Sequence, residues 1–120
     1  MTVRAIRGAT CLTADDAVEM NEAVVELLQD ILMRNELPVD DVISVIFTAT
    51  PDITAGFPAA AARDVGFEDV RLMGASDIDE TGALPLVVRV LMHAELDVPR
   101  PDIQHVYLRG AEVLRMDLAQ

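Results

Sequence analysis

Lysine and tryptophan do not occur in this chain, cysteine and tyrosine occur once each, and phenylalanine three times. Each shortage removes a class of function. A single Cys11 cannot close an intrachain disulfide, and without CxxC or paired His/Cys spacing neither a structural zinc nor any other metal site is expected. With no basic partner nearby in sequence, Cys11 reads as an inert small apolar residue, and His93 and His105 do not form a metal pair. Nucleic acid is not an expected partner: the formal net charge is -12, no basic cluster occurs, and few rings are available to stack on bases. Long apolar runs are missing as well. The longest, Leu84 to Ala94, is too short to span a bilayer and is interrupted by Arg89; the opening MTVRAIRGATCL lacks the apolar segment of a secretory signal. The expectation is a cytoplasmic protein that does not enter membranes.

What the chain does have is arginine. All nine basic residues are arginines, and several lie in apolar surroundings: Arg7 in VRAIRGAT, Arg63 in FPAAAARDVG, Arg89 in LPLVVRVLM and Arg115 in AEVLRMDL. A permanent charge is costly in such places unless an anion meets it. The guanidinium is planar and grips a carboxylate with two parallel hydrogen bonds, so the pattern points to a pocket for a small ligand carrying carboxylates. A GC-rich genome would account for arginine in place of lysine, but not for Arg89 breaking a run of aliphatics.

At 120 residues the chain is expected to form one domain, 1–120, with no repeat and no low-complexity tract. Alternation over 2–10 predicts a first strand, bounded by Gly8. Thr13 offers an N-cap, and apolar residues at Ala17, Met20, Val24, Leu27, Leu28 and Ile31 predict a helix that ends near Arg34 to Leu37, before Pro38. Its acids, Asp15, Asp16, Glu19, Glu22, Glu26 and Asp30, read as a solvated face. DVISVIFT, from Asp41 to Thr48, predicts a central strand; Pro58 opens a short helix to about Val65, stopped by Gly66; DVRLMG predicts a third strand. Thr81 to Met92 reads as a helix with Pro85 in its first turn. Asp97 to Asp102 reads as an extended linker, and IQHVYLR and AEVLRM as two strands, or a strand and a short return. The alternation predicts an α/β or α+β sheet with helices mainly on one face.

Three segments in this order, IRGAT, TATPDITAGFPA and HVYLRGAEVLRMDL, resemble the small monofunctional chorismate mutases of the Bacillus type, and the similarity runs over essentially the whole chain. The resemblance implies a mixed sheet within a homotrimeric pseudo-α/β barrel, with active sites in clefts between subunits. It implies the isomerase reaction that turns chorismate into prephenate by a Claisen rearrangement, on the shikimate route to aromatic amino acids. Such a pericyclic step uses no nucleophile, proton transfer or cofactor, in keeping with the missing triad and phosphate loop. By matching positions, Arg89 approaches the ether oxygen and a carboxylate, Arg7 clamps a carboxylate, and Tyr107 helps to hold it. Phe57, Ala59 and Arg63 match the side supplied by a neighbouring subunit, Leu114 and Arg115 the mouth, and Met73, Gly74, Ala75, Ser76 and Asp77 further substrate-binding positions.

Three positions depart from the pattern. Asp77 stands where relatives commonly carry glutamate, Gly74 where they carry cysteine, and Ala60 where some carry lysine. The matched glutamate holds the substrate hydroxyl and orients the catalytic arginine; aspartate is one methylene shorter, and unless the backbone compensates its carboxylate is displaced by about 1 Å, which reduces rate on the order of a hundredfold, so Asp77→Glu is expected to raise the rate or leave it unchanged. Two other readings stay open from sequence: a catalytically weakened trimer that binds an aromatic-pathway acid, and a Rid-type imine deaminase, which also places arginines between subunits.

Overall fold

The computed structural model describes residues 2–116, with side chains described as far as Leu114. Arg115 and the last four residues, where sequence reading placed part of the closing tail, therefore contribute no side-chain geometry. The order of elements is β1 (Val3–Cys11), α1 (Ala17–Arg34), β2 (Val42–Ala49), a 3-10 helix at Pro58–Val65, β3 (Arg71–Ser76), β4 (Val87–Glu95), β5 (Val106–Leu108) and the short α2 (Val113–Met116). The strands form one mixed sheet in the order β3-β2-β4-β1-β5. β4 runs antiparallel to β1 and β2, while β5 lies parallel to β1 and β3 parallel to β2.

Successive side chains on a strand point to opposite faces, so each strand contributes one set to a core and another to the far side. Ile6, Val45, Phe47, Val88, Val90, Met92, Ala94 and Val106 share a core with Met20, Ala23, Val24, Leu27, Leu28 and Ile31 of α1 and with Ala61 and Ala62 of the 3-10 helix. Both longer helices therefore cover one face. The opposite face carries Arg7, Ala9, Ile46, Thr48, Arg89, Leu91 and Tyr107, brought side by side by the register of β1, β2, β4 and β5. No helix among the described residues is long and apolar enough to cross a membrane.

The stop signals read from sequence operate as expected in the middle of the chain. Pro58 occupies the first turn of the 3-10 helix, and Gly66 ends it at φ 89, a left-handed conformation that costs glycine little. Elsewhere the structure differs. The N-cap of α1 is Asp16, whose carboxylate accepts the Glu19 N–H at 2.8 Å. Glu19 in turn accepts from the Thr13 N–H at 2.7 Å and from Ala14, so Thr13 lies before the helix and is tied down by it. Most acids read as a solvated face have partners: Asp15 accepts from Thr54 and Ala55 across the fold, Asp30 pairs with Arg34 and Glu26 with Arg109.

The largest correction concerns 81–92, which is not helical. Residues 77–86 form an irregular loop with a turn at 81–82 and a bend at 85–86, and from Val87 the chain runs as the central strand β4. Continuous apolarity fits a helix or a doubly covered strand equally well; the β-branched Val87, Val88 and Val90 and a place between β1 and β2 decide for the strand. The linker 97–102 contains a 3-10 turn at Arg100–Asp102, and of the two readings of the last segments the strand with a short return holds, AEVLRM supplying the short α2 after β5.

Gly8 does not end β1 but lies inside it, where the strand passes closest to α1. A Cβ there would stand 2.9 Å from Ile31 Cδ1 and 3.1 Å from both Leu27 Cδ1 and the Val106 carbonyl oxygen. Gly8→Ala is accordingly expected to destabilise the fold by about 1 kcal/mol, the overpacking cost outweighing the loss of backbone freedom in the unfolded chain. Urea unfolding checks this: the midpoint falls at unchanged slope.

Candidate active site

The face opposite α1 and the 3-10 helix holds a cleft of ≈ 370 Å³ lined by Arg7, Gly8, Ile46, Thr48, Asp77, Arg89, Val90, Leu91, Tyr107 and, from α2, Leu114. Its size suits a small ligand of one ring and a few substituents. Sheet register explains the convergence. Arg89 on β4 stands beside Ala9 of β1 and Thr48 of β2, Ala9 stands beside Tyr107 of β5, and Arg7 is opposite Leu91, one step along the same face. Ala9 is fully buried and small, which leaves room above it for the two larger side chains on either side.

The charge at the centre is organised by one bidentate pair. Arg89 Nη2 donates to Asp77 Oδ1 at 2.6 Å and Nε to Oδ2 at 3.0 Å. Thr48 Oγ1 donates to the same Oδ2 at 3.0 Å, and the Asp77 main chain is held by its own N–H on the Ala49 carbonyl at 2.9 Å. The carboxylate is 13 % exposed and the guanidinium 53 %, so the acid is set into the wall and the cation faces the opening. Two of the five N–H donors of Arg89 go to Asp77, leaving the others for a guest. The hydrogen bonds from Arg89, and then the one from Thr48, hold the Asp77 carboxyl below the usual carboxylate range against the opposing effect of burial. Asp77 likewise pushes the Arg89 guanidinium upward, so the pair stays ionised throughout the physiological range.

Arg7 supplies a second cation at the cleft, and its guanidinium has no ion-pair partner among the described residues. Its backbone is tethered by its N–H to His105 Nδ1 at 3.0 Å, a support from a histidine that sequence reading treated as bland. Cys11 conforms to its reading: it is partly buried, and burial followed by the charge of Glu112 raises its thiol pKa, which disfavours the reactive thiolate.

Of the residues singled out from sequence, the cleft brings together Arg7, Asp77, Arg89, Tyr107 and Leu114. Gly74, Ala75 and Ser76 are exposed on the edge strand β3, and Met73 is 63 % exposed there. A Cβ added at Gly74 would meet nothing within 4 Å. Phe57, Ala59 and Arg63 do not line this cleft within the same chain, and Phe57 is 81 % exposed. Sequence reading did not assign Gly8, Ile46, Thr48, Val90 or Leu91 to the site; Thr48 became visible only once the register set it beside Arg89. The shorter acid still grips Arg89 with both oxygens, its main chain held on the Ala49 carbonyl.

Comparison with known proteins agrees with this geometry. The family model for chorismate mutase type I matches residues 3–118. The chain is 39% identical to the chorismate mutase AroH of Bacillus subtilis (strain 168), covering 99% of this chain and 94% of that protein. It is 42% identical to the AroH of Thermus thermophilus, over 97% of this chain and 96% of that one. Among solved structures, a chorismate mutase from Clostridium thermocellum superimposes with a TM-score of 0.90 at 44% identity, covering 92% of this chain and 98% of that chain. In its mixed sheet, its arginine cleft and its sequence, this chain belongs to the type I chorismate mutase family.

Proposed function

We propose that residues 1–120 form a single chorismate mutase domain that isomerises chorismate to prephenate in the cleft between β1, β4 and β5, within a homotrimer. The observation that carries the proposal is the pairing, across one cleft, of an acid-oriented Arg89 with an Arg7 that has no ion-pair partner among the described residues. Family membership sets aside the imine-deaminase reading. The intact Arg89–Asp77 pair argues against a binding-only relic, since the cation is already held as the chemistry requires.

The rearrangement breaks a carbon–oxygen bond and makes a carbon–carbon bond within one molecule, with no proton or electron exchanged with the protein. Catalysis then has two sources. Arg7, with Tyr107 beside it, holds a substrate carboxylate and keeps the flexible side chain folded over the ring, which supplies the entropic part. Arg89 presents N–H donors where negative charge grows on the departing ether oxygen, and Asp77 fixes the guanidinium so that no reorganisation is needed during bond breaking. Together these must supply roughly 8 kcal/mol for a millionfold gain. The exposure of Phe57 and Met73 supports a further subunit packing against this chain, with Phe57, Ala59 and Arg63 closing a neighbour's cleft.

Arg89→Ala should lower kcat by roughly 10²–10³-fold or more, the loss typical of removing a donor aimed at developing charge, while sedimentation still reports three chains. Wild-type turnover in that variant would remove Arg89 from the chemistry; a single sedimenting chain with full activity would remove the trimer. Asp77→Glu should now lower the rate several-fold, reversing the expectation from sequence, because the longer side chain no longer fits the combined reach of Arg89 and Thr48; steady-state kinetics decides. The pH dependence follows from the depressed carboxyl. Its folded pKa lies below the unfolded value of about 3.9, so the pair's contribution is complete above that value and disappears as pH falls through the lower, folded one. Turnover corrected for substrate ionisation should therefore stay level from neutral pH to about pH 5, and Asp77→Asn should abolish any further acid-side loss due to this group.

A further inference from the structure

Leu86 stands immediately before β4 with φ 53, a left-handed conformation that a branched side chain rarely adopts without support from its surroundings. Three contacts hold it. Its side chain packs against the main core, its carbonyl accepts the Leu12 N–H at 2.8 Å, and its own N–H points at the Asp52 carboxylate, 3.0 Å from Oδ2 and 3.2 Å from Oδ1. Asp52 also accepts the hydroxyl hydrogen of Thr50, which turns Thr50 Oγ1 to receive the next N–H, that of Val87, at 3.0 Å. The Thr50 N–H returns to the Val87 carbonyl at 3.0 Å. The two N–H groups at the start of β4 thus end on one carboxylate and the hydroxyl that the carboxylate orients. Arg89 follows two residues after Val87.

We propose that Asp52, which does not line the cleft, is a positioning residue for Arg89: by fixing the strained Leu86 and, through Thr50, Val87, it sets where β4 begins and hence where the guanidinium stands. The assignment rests on the reading of Arg89 as the group that serves the ether oxygen. It adds a role for the acid in the TATPDITAGFPA segment that the site itself leaves unused. Without the carboxylate, Leu86 relaxes toward an ordinary negative φ, and the first residues of β4 shift relative to β2. A small shift there reaches Arg89 directly, and a misplacement of an ångström in such a group is expensive in rate.

Asp52→Ala is expected to lower kcat for chorismate about tenfold with KM changed less, at a temperature where circular dichroism shows the fold intact, and to move the Arg89 Nε–H resonance in ¹⁵N spectra of the protein. Asp52→Asn, which keeps an acceptor oxygen without the charge, should fall between the wild type and Asp52→Ala, and decides the matter if the alanine variant does not fold. Adding Leu86→Gly to either variant should restore part of the lost kcat while lowering Tm further, because glycine takes a positive φ without help but gives up the leucine's packing. A purely structural role would instead leave kcat and the Nε–H resonance of the folded variants unchanged, or make the two losses add; either result overturns the proposal. Full turnover in Arg89→Ala would overturn the underlying site reading, whereas a dead Arg89→Ala beside a fully active Asp52→Ala would overturn this inference alone.

Discussion

A guanidinium placed in the middle of a central strand must be met by an anion, and the arrangement of this molecule's active face follows from how that need is answered. Arg89 cannot reach the covering helices, because its neighbours Val88 and Val90 occupy that side. It therefore faces the uncovered side, where Asp77 at the end of the edge strand supplies two oxygens and Thr48 fixes one of them. The pair shares its charge unequally with solvent: the acid is recessed, the cation forward. A substrate anion consequently meets a cation whose counter-charge stays in the wall, and the orientation of that cation is already set before any guest arrives.

The parts of the fold written in local signals were legible from the residues. α1 announces itself by its apolar spacing, the 3-10 helix by Pro58 and Gly66, and β2 by its β-branched residues. β4 was misread because Leu84, Val87, Val88, Leu91 and Met92 also satisfy a helical spacing, which outweighed the alternation of core-facing Val88, Val90, Met92 and Ala94 with Arg89, Leu91, His93 and Glu95 on the other face. The turn that precedes it is marked by a positive φ at Leu86, a residue type that gives no turn signal at all. Boundary errors at the start of α1 have the same origin. Thr13, Asp15 and Asp16 are all acceptable caps, and the choice among them depends on Asp15 being occupied by the 54–55 loop, a contact 39 residues away in sequence.

The site was legible in a different way. Arg7, Asp77, Arg89 and Tyr107 came from their resemblance to a family, and the arginine pattern alone pointed only to a carboxylate-bearing ligand. Thr48 and Ile46 carried no such signal, since a threonine and an isoleucine in a central strand are ordinary until the pairing partners are known. What the shorter acid at 77 does depends on where the backbone carries it, and the hydrogen bond that holds its main chain on Ala49 is a contact the sequence does not display.

Gly74 sits two residues inside the edge strand that ends beside Asp77, with open space where a side chain would go. Among the described residues of this chain a replacement there meets neither core nor backbone, so it costs the fold of the single chain little. Within one chain, the identity of the residue at this edge is thereby uncoupled from the packing that fixes the cationic centre, so whatever constrains it must come from outside the chain.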